Sequence, residues 1–313
     1  SAALARRRQQ GLTGLTLLSC DNLSDNGHKL KAALLQFSAK QDADLAAWIE
    51  QHCRFPNTMV DRIVPAVTAE QSAQFRSDFG VDDSAPVFSE TFSQWVIERN
   101  FAGPVPPWDK VGAEFVDDVA PFEALKLRTL NASHSLIAYL GCVTGRETVA
   151  EALCHPDIRR AVEGLMRDEA QPSLNLPGDF SIEDYQQALL TRFENTALNH
   201  RCAQIAMDGS QKIPQRLVPI IAWQLSHNAS IHYASLAIAA WLLFLRGESI
   251  DTLQDPLKEQ LTQLWQGSAE QAVDALLAMQ SIFPDSIGGN AQLKTEVLAW
   301  LEKLMKHQAI SLP

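Results

Sequence analysis

Basic residues and long apolar runs are both scarce in this sequence of 313 residues. Asp and Glu number 37 against 26 Lys and Arg, which leaves a formal net charge of -11. A general nucleic-acid-binding protein needs a basic surplus to neutralise phosphates, so the composition argues against that class. The most apolar run, YASLAIAAWLLFLRG (233–247), is too short to span a bilayer and predicts a buried helix. We therefore expect neither a nucleic-acid nor a membrane partner.

Cysteines are few and unpaired along the chain. The five lie singly and form no CxxC pair, which suits a reducing compartment better than a disulfide framework. The first residues, SAALARRRQQGL, are basic and lack the apolar segment of a secretory signal. These features predict a cytoplasmic protein and leave its oligomeric state open.

Common catalytic and binding signatures are also absent from the sequence. It contains no GxGxxG, Walker loop, HExxH or GxSxG, and the short GLTG (11–14) lacks the strand-to-helix context of a dinucleotide fingerprint. The histidines are dispersed, so no metal site is expected. Any function has to be sought in less familiar patterns.

Helix- and strand-like patterns divide the chain into two parts. Up to residue 115 we predict a mixed α/β domain, with a buried strand at TGLTLLSCDN (13–22), helices near 26–40 and 42–53, and extended segments near 61–67 and 86–98. NFAGPVPPWDK (100–110) is rich in Pro and Gly and predicts a surface loop. From 116 to 313 the apolar spacing is helical almost throughout, and Ser181 with Asp184 predicts a capping box.

Two short polar segments in the first part are candidate ligand sites. SCDN, from Ser19 to Asn22, follows the predicted strand, and ligands of α/β sheets collect beyond the carboxyl ends of strands. A simple turn with an asparagine cap is the alternative. Asp61 and Arg62 lie between apolar residues in TMVDRIVP, where either a structural ion pair or a ligand contact fits.

The segment KLRTLNASHS (126–135) places three polar side chains on one helix face. With about 100° per residue and Lys126 at zero, His134 falls at roughly 80° and Asn131 at roughly 140°. An amphipathic surface helix with a snorkelling lysine is one interpretation. The other is a partly buried active-site face, because burial lowers the pKa of a lysine from about 10.4 toward neutrality, as a lysine general base requires.

A fourth segment, LNHRCAQIAMDGSQKIPQR (198–216), carries several basic residues. It predicts a helix that ends at Asp208-Gly209, with glycine as the stop. His200, Arg201 and Lys212 are potential anion contacts, and a solvated helix end is the alternative.

Taken together and in this order, the four segments resemble the polyol-specific long-chain dehydrogenases. The matching stretches include LLSCDNLSDNGH, FPNTMVDRIVPAVT, QWVIERNF, the long run around KLRTLNASHS, and HRCAQIAMDGSQKIPQR, and they span residues 17–216. The most specific element is the KxxxxNxxH spacing. FPNTMVDRIVPAVT and AMDGSQKIPQR look most like the fructuronate reductase branch of that family.

The resemblance implies roles for individual residues. Lys126 would be the catalytic general acid/base, and Asn131 with Asn22 would hold the reacting oxygen. His134 would donate a hydrogen bond near that oxygen. Asp61 would line the sugar site, with Arg62, His200, Arg201 and Lys212 as further substrate contacts, and Ser19 with Asn22 would touch the NAD cofactor.

The implied function is an NAD-dependent interconversion of a keto-hexuronate, such as fructuronate, and an aldonate, such as mannonate. The implied fold is an α/β, Rossmann-type domain (1–115) followed by an all-helical substrate domain (116–313). Because the glycine fingerprint is missing, we expect only the carboxyl-terminal part of the Rossmann domain, and hence a fragment that lacks most of the NAD site. Mannitol or arabinitol dehydrogenase activity and a non-catalytic helical module remain as alternatives. The sequence departs from the family at two places: Ala132 replaces a usual glycine, and ETFSQWVIERN (90–100) replaces EPFRQWVIEDN.

Overall fold

The structure, a computed structural model, describes residues 1–176, 178, 180–246 and 252–307, except for the side chain of residue 307. The chain forms two compact units. One comprises Ser1–Val64 with Ser89–Ala124, and the other comprises Pro65–Phe88 with the chain from Leu125 onward. The division at residues 115 and 116 stays a prediction.

A three-stranded sheet forms one part of the first unit. Its strands are β1 (Thr58–Asp61), β2 (Gln94–Glu98) and β3 (Ala113–Val116), in that spatial order. β1 runs antiparallel to β2, and β2 runs parallel to β3. Apolar side chains of the sheet pack with Val119 and Phe122 in a small core. The predicted extended segments near 61–67 and 86–98 thus contain or adjoin two of the strands.

Three helices form a second small core in the same unit. They are α1 (Ala2–Gln9), α2 (Asn26–Ala39) and α3 (Ala43–His52). α3 begins where the Asp42 side chain accepts a hydrogen bond from the backbone N–H of Leu45, 3.0 Å away. Because apolar residues recur on one face of α3, its Leu45 and Ile49 are buried in this core.

The buried strand predicted at 13–22 is wrong. In the described residues of this segment, ladder pairing is limited to one parallel bridge, between Thr16 and Arg54. Leu12 and Leu15 are exposed. The apolar run is strand-like in composition, but a strand forms only where a neighbouring chain pairs along its length.

In the residues that the structure describes, the regular elements of the second unit are helices. Its helices are α4 (Ala69–Phe79), α6 (Ala132–Val143), α7 (Val149–Leu153), α8 (Pro156–Gly164), α9 (Ile182–Phe193), α10 (Cys202–Ile205), α11 (Gly209–Arg216), α12 (Val218–Ser226), α13 (His232–Phe244), α14 (Lys258–Leu261), α15 (Ala269–Leu277), α16 (Asp285–Gly288) and α17 (Ala291–His307). α5 (Ala120–Lys126) leads into this unit from the first. Shorter helical segments of the second unit are π-helical at Leu127–Asn131 and Leu165–Ala170 and 3₁₀ at Gln171–Ser173 and Thr196–Leu198, and the first unit has a 3₁₀ turn at Trp108–Val111. The expected change from mixed α/β to helical structure is confirmed.

Helix α13 lies at the centre of the second unit. Its residues 234–242 are all buried, and it packs against α6 and α17. This confirms the buried helix predicted from the most apolar run. Nowhere in the described part of the chain is a helix long and apolar enough to cross a membrane.

The prediction that a helix ends at Asp208-Gly209 is wrong. α10 ends at Ile205, and α11 begins at Gly209, with Asp208 as its N-cap at a φ of 54°. A Cβ atom on Gly209 would lie 2.4 Å from Nε1 of Trp241 and 3.0 Å from the hydroxyl oxygen of Tyr139. Glycine is therefore needed here for close packing rather than for stopping a helix.

Candidate active site

The KxxxxNxxH segment contains a π-helical turn. Leu127–Asn131 is π-helical, and the N–H of Ala132 donates to the carbonyl of Leu127, five residues back. The prediction that each residue of this segment advances by the α-helical angle is therefore wrong over Leu127–Asn131. In a π-turn, backbone hydrogen bonds join residues that are five apart in the chain. The turn therefore favours placing Lys126 and Asn131 on one face.

The three polar residues of this segment are buried. The exposed fraction is 8% for Lys126, 6% for Asn131 and 6% for His134. α6, which begins directly after the π-turn, is buried from Ala132 through Gly141. This excludes a surface helix with a snorkelling lysine and agrees with the alternative of a buried polar face.

His134 is neutral at physiological pH in this environment. Burial, followed by the charges of His200 and Arg216, lowers its pKa well below the ordinary value of 6.5. The ring centroid of His134 lies 4.7 Å from that of Phe193 and 5.3 Å from that of His200, in an edge-on arrangement with the latter. A neutral imidazole of this kind can donate one hydrogen bond to a substrate oxygen without carrying a charge.

Three side-chain nitrogen atoms of the candidate site have no hydrogen-bond partner within the described residues. They are Nδ2 of Asn131, Nε2 of His134 and Nδ1 of His200. Buried polar atoms are almost always hydrogen-bonded, so unpaired ones call for an explanation. A polar ligand that supplies the partners is the explanation that fits all three.

The charges of three basic side chains, His200, Lys212 and Arg216, act on His134; we call these three residues the basic cluster. Burial and the charge of Lys212 lower the pKa of His200 to about 4. Burial and the charge of Arg216 lower the pKa of Lys212 to about 8, and burial lowers that of Arg216 to about 10. Lys212 Nζ donates to the carbonyl of Ile205 at 3.0 Å and retains further N–H groups for a ligand. The cluster is suited to an anionic group.

Of the predicted anion contacts in this segment, Arg201 is the exception. Its side chain is exposed, and its backbone bridges that of Thr148. Arg216, which we did not predict, is half-buried and belongs to the basic cluster instead. Its four-residue spacing from Lys212 on α11 was a usable signal, because residues four apart share a helix face.

In the first unit, Asp61 ends β1 and is 2% exposed, whereas Arg62 is exposed. Arg62 donates from Nε to the carbonyl of Phe92 at 3.1 Å and from Nη2 to that of Thr91 at 3.4 Å. These bonds tie β1 to the loop before β2, so they assign Arg62 a structural role in the unit.

The SCDN segment forms a turn that is fastened to β1. Ser19 Oγ donates to Oδ2 of Asp21 at 3.0 Å, and the hydroxyl of Thr58 donates to the carbonyl of Ser19 at 2.6 Å. Asn22 is exposed. The buried residue nearby is Asn26, whose side chain donates to the carbonyl of Thr58 at 2.9 Å and accepts from its N–H at 3.0 Å. Sequence reasoning missed Asn26, although it lies in the same polar run.

The second unit therefore brings together a buried lysine, neutral amide and imidazole donors, and basic side chains. This set suits proton transfer to or from an oxygen whose developing charge is stabilised by nearby donors. Across the residues that the structure describes, no group of three or more His, Cys, Asp or Glu side chains is placed to hold a metal ion.

Two family models match the chain. Residues 1–110 match the model described as mannitol dehydrogenase Rossmann domain, and residues 118–305 match the mannitol dehydrogenase C-terminal domain. The first match corrects our expectation that residues 1–115 lack most of the Rossmann domain.

Individual relatives are similar over nearly the whole chain. D-mannonate oxidoreductase of Escherichia coli (strain K12) is 43% identical, with 98% of this chain and 64% of that protein covered. Mannitol 2-dehydrogenase of Phaeosphaeria nodorum is 38% identical, with 98% and 55% covered. The structure of Pseudomonas fluorescens mannitol 2-dehydrogenase with NAD and D-mannitol superposes with a TM-score of 0.86 at 35% identity, covering 98% of this chain and 63% of that one. The chain thus spans less than two thirds of the length of each of these proteins.

Proposed function

Because the chain belongs to the mannitol dehydrogenase family, we propose that it carries the substrate site of an NAD-dependent oxidoreductase acting on a CH–OH group of a small polyol or sugar acid. The observation that carries this proposal is the buried face of Lys126, Asn131 and His134, on which two side-chain nitrogen atoms have no partner among the described residues. A substrate oxygen would satisfy both nitrogen atoms.

The roles of these residues follow from the chemistry of the reaction. NAD, when bound, would supply or accept the hydride. Lys126 acts as the general acid/base that holds the proton of the reacting oxygen. The Asn131 amide and the neutral His134 imidazole donate hydrogen bonds to that oxygen, which stabilises its alkoxide character most in the transition state.

The first unit offers polar groups that suit NAD. Its matched Rossmann model and the exposed, polar Ser19–Asn22 turn beside β1 support a cofactor contact there. Asn22, in the same turn, is proposed as a cofactor contact. Asp61 is proposed to line the sugar site.

We further propose that the substrate is a sugar acid of the mannonate and fructuronate type. Desolvating a carboxylate is costly unless a cation meets it, and Lys212 of the basic cluster provides one. Lys212, with N–H groups to spare, is the leading carboxylate contact, and His200 is a neutral donor beside it. The similarity to D-mannonate oxidoreductase supports this choice.

A polyol substrate is the alternative. It is favoured by the similarity to a mannitol 2-dehydrogenase whose structure holds D-mannitol. A polyol carries no charge, so it would leave a half-buried Lys212 without an anionic partner in the substrate.

Lys126→Ala tests the central assignment. In the protein expressed from its whole gene, we expect this change to lower kcat for D-mannonate oxidation by NAD⁺ about 10²–10⁴-fold, since the general base is lost. The basic-group limb of the pH–rate profile should disappear with it. Lys294→Ala is a matched control, because Lys294 makes exposed ion pairs with Glu270 and Asp274.

Normal turnover of the Lys126→Ala protein across pH would assign the lysine a structural role and refute the mechanism. Turnover of D-mannitol but not of D-mannonate by the unaltered protein would leave the mechanism standing and favour the polyol alternative.

A further inference from the structure

Arg216 connects α11 to the start of α6. Its Nη1 donates to the backbone carbonyl of Asn131 at 3.2 Å and to Oγ of Ser135 at 3.1 Å. The two acceptors lie one helical turn apart and bracket the junction at which the π-turn becomes an α-helix. One guanidinium nitrogen therefore fastens both sides of this junction, 85 and 81 residues away in the chain.

The junction is where the five-residue hydrogen-bond spacing of the π-turn gives way to the four-residue spacing of an α-helix. Asn131 is the last residue of the π-turn and the N-cap of α6. Its carbonyl is held by Arg216, whereas Nδ2 of its side chain has no partner within the described residues. The backbone of Asn131 thus bonds to the protein, whereas its side-chain amide can bond to a ligand.

Keeping the charged Arg216 side chain partly buried costs free energy unless the charge makes favourable interactions. Arg216 is half-buried in the basic cluster, close enough to Lys212 for the two like charges to repel. An uncharged side chain would avoid both the desolvation and the repulsion. The two hydrogen bonds to the junction are the compensation that the structure shows, and bonds from a charged donor are the stronger kind.

We propose that Arg216 is a positioning residue: it anchors the Asn131 carbonyl and the Ser135 hydroxyl, and so holds the Asn131 amide and the His134 imidazole in one arrangement for the reacting oxygen. Arg216 bonds at the junction that carries Asn131, whereas Lys212, the proposed substrate contact, bonds away from it, to the carbonyl of Ile205. The inference rests on the proposed function, but its structural half can be tested without any activity.

Hydrogen exchange followed by mass spectrometry tests the anchor. Arg216→Met should speed exchange of peptides covering residues 127–135 about tenfold or more, since it removes bonds from a charged donor. Peptides from α13 serve as the internal reference. Arg246→Met is the matched control, because Arg246 is exposed and lies over the ring of Trp265. Unchanged exchange at 127–135 would overturn the proposal.

Ser135→Ala keeps the test decisive if Arg216→Met loosens the whole unit. It removes one of the two acceptors with little change in volume, and we expect exchange at 127–135 to rise about threefold while α13 is unaffected. If hydrogen exchange speeds up equally in residues 127–135 and in α13, or in neither, the bonds from Arg216 do not position the junction.

Kinetics test the functional half. In the whole-gene protein, Arg216→Met should lower kcat about 10²-fold with little change in KM, because the donors to the reacting oxygen lose their alignment. Arg216→Lys and added guanidinium should each restore part of kcat. A rise in KM alone would make Arg216 a substrate contact and overturn the proposal. If the unaltered protein oxidises neither D-mannonate nor D-mannitol, the proposed function fails, whereas the exchange experiment still decides whether Arg216 anchors the junction.

Discussion

A buried carboxylate, Glu169, caps the central helix of the second unit. It lies in the second π-helical segment and is fully buried. Its two oxygens accept hydrogen bonds from the N–H groups of Tyr233 and Ala234, at 2.7 and 2.8 Å, in the first turn of α13. Substituting Glu169 by Gln keeps the shape and one acceptor but removes the titrating proton.

The pH dependence of this cap can be worked out from its pKa. Burial raises the pKa of Glu169 from 4.5 to about 8, although the two N–H groups act in the opposite direction. The folded state therefore binds more protons than the unfolded state between these values. The stabilisation is fully present below pH 4.5 and is lost as the pH rises through about 8. At 1.36 kcal/mol per tenfold change in proton affinity, the free energy of unfolding that is lost over this pH range is ~5 kcal/mol.

Urea unfolding at several pH values, followed by circular dichroism, measures this effect. We expect the unfolding free energy of the unaltered chain to fall relative to that of Glu169→Gln as the pH rises from about 4.5 to 8. Glu163→Gln is the control for loss of an acid, since Glu163 is a partly exposed partner of Arg159. If the unaltered chain instead gains stability relative to Glu169→Gln over this range, the N–H groups and the helix dipole outweigh burial, and the reasoning fails.

Two further predictions concern the neighbourhood of the basic cluster. In the protein expressed from its whole gene, Lys212→Met should lower kcat/KM for D-mannonate by a factor equivalent to about 2–4 kcal/mol, and kcat/KM for D-mannitol much less. Equal losses on both substrates would show that Lys212 does not contact a carboxylate. With Lys212 intact, KM for D-mannonate should rise above about pH 8, where the lysine loses its charge. Gly209→Ala should destabilise the second unit by about 1–3 kcal/mol in urea unfolding, because its Cβ would overlap the ring of Trp241, and an unchanged midpoint would contradict this.

Helices with a clear apolar period were predictable from the sequence. α3 and α13 lie where the spacing placed them, and Ser181, predicted as a cap, begins α9 by accepting from the N–H of Asp184 at 3.3 Å. These elements depend on local propensity and on a single buried face, both of which a sequence displays directly.

Features that depend on distant contacts were not predictable. The strand expected at 13–22 depended on a pairing partner, and α4 has no buried residue to mark a periodic face. The π-turn at Leu127–Asn131 breaks the period on which the prediction rested. For the site, the residue types at Lys126, Asn131 and His134 indicated a buried polar face, but the part played by Arg216 required knowing that α11 meets the start of α6.

The π-helical segments Leu127–Asn131 and Leu165–Ala170 pack against each other; the first leads into α6, and the second follows α8. The first carries Asn131 of the candidate site, and the second carries Glu169, which caps α13, itself packed on α6. Lys212 and Glu169 both have a pKa of about 8, so two causes would change activity over the same pH range. They act differently: loss of charge on Lys212 weakens binding of an acidic substrate, whereas ionisation of Glu169 destabilises the fold around the site. A pH effect that persists in Glu169→Gln and vanishes in Lys212→Met therefore arises at the substrate, and the reverse pattern arises in the core.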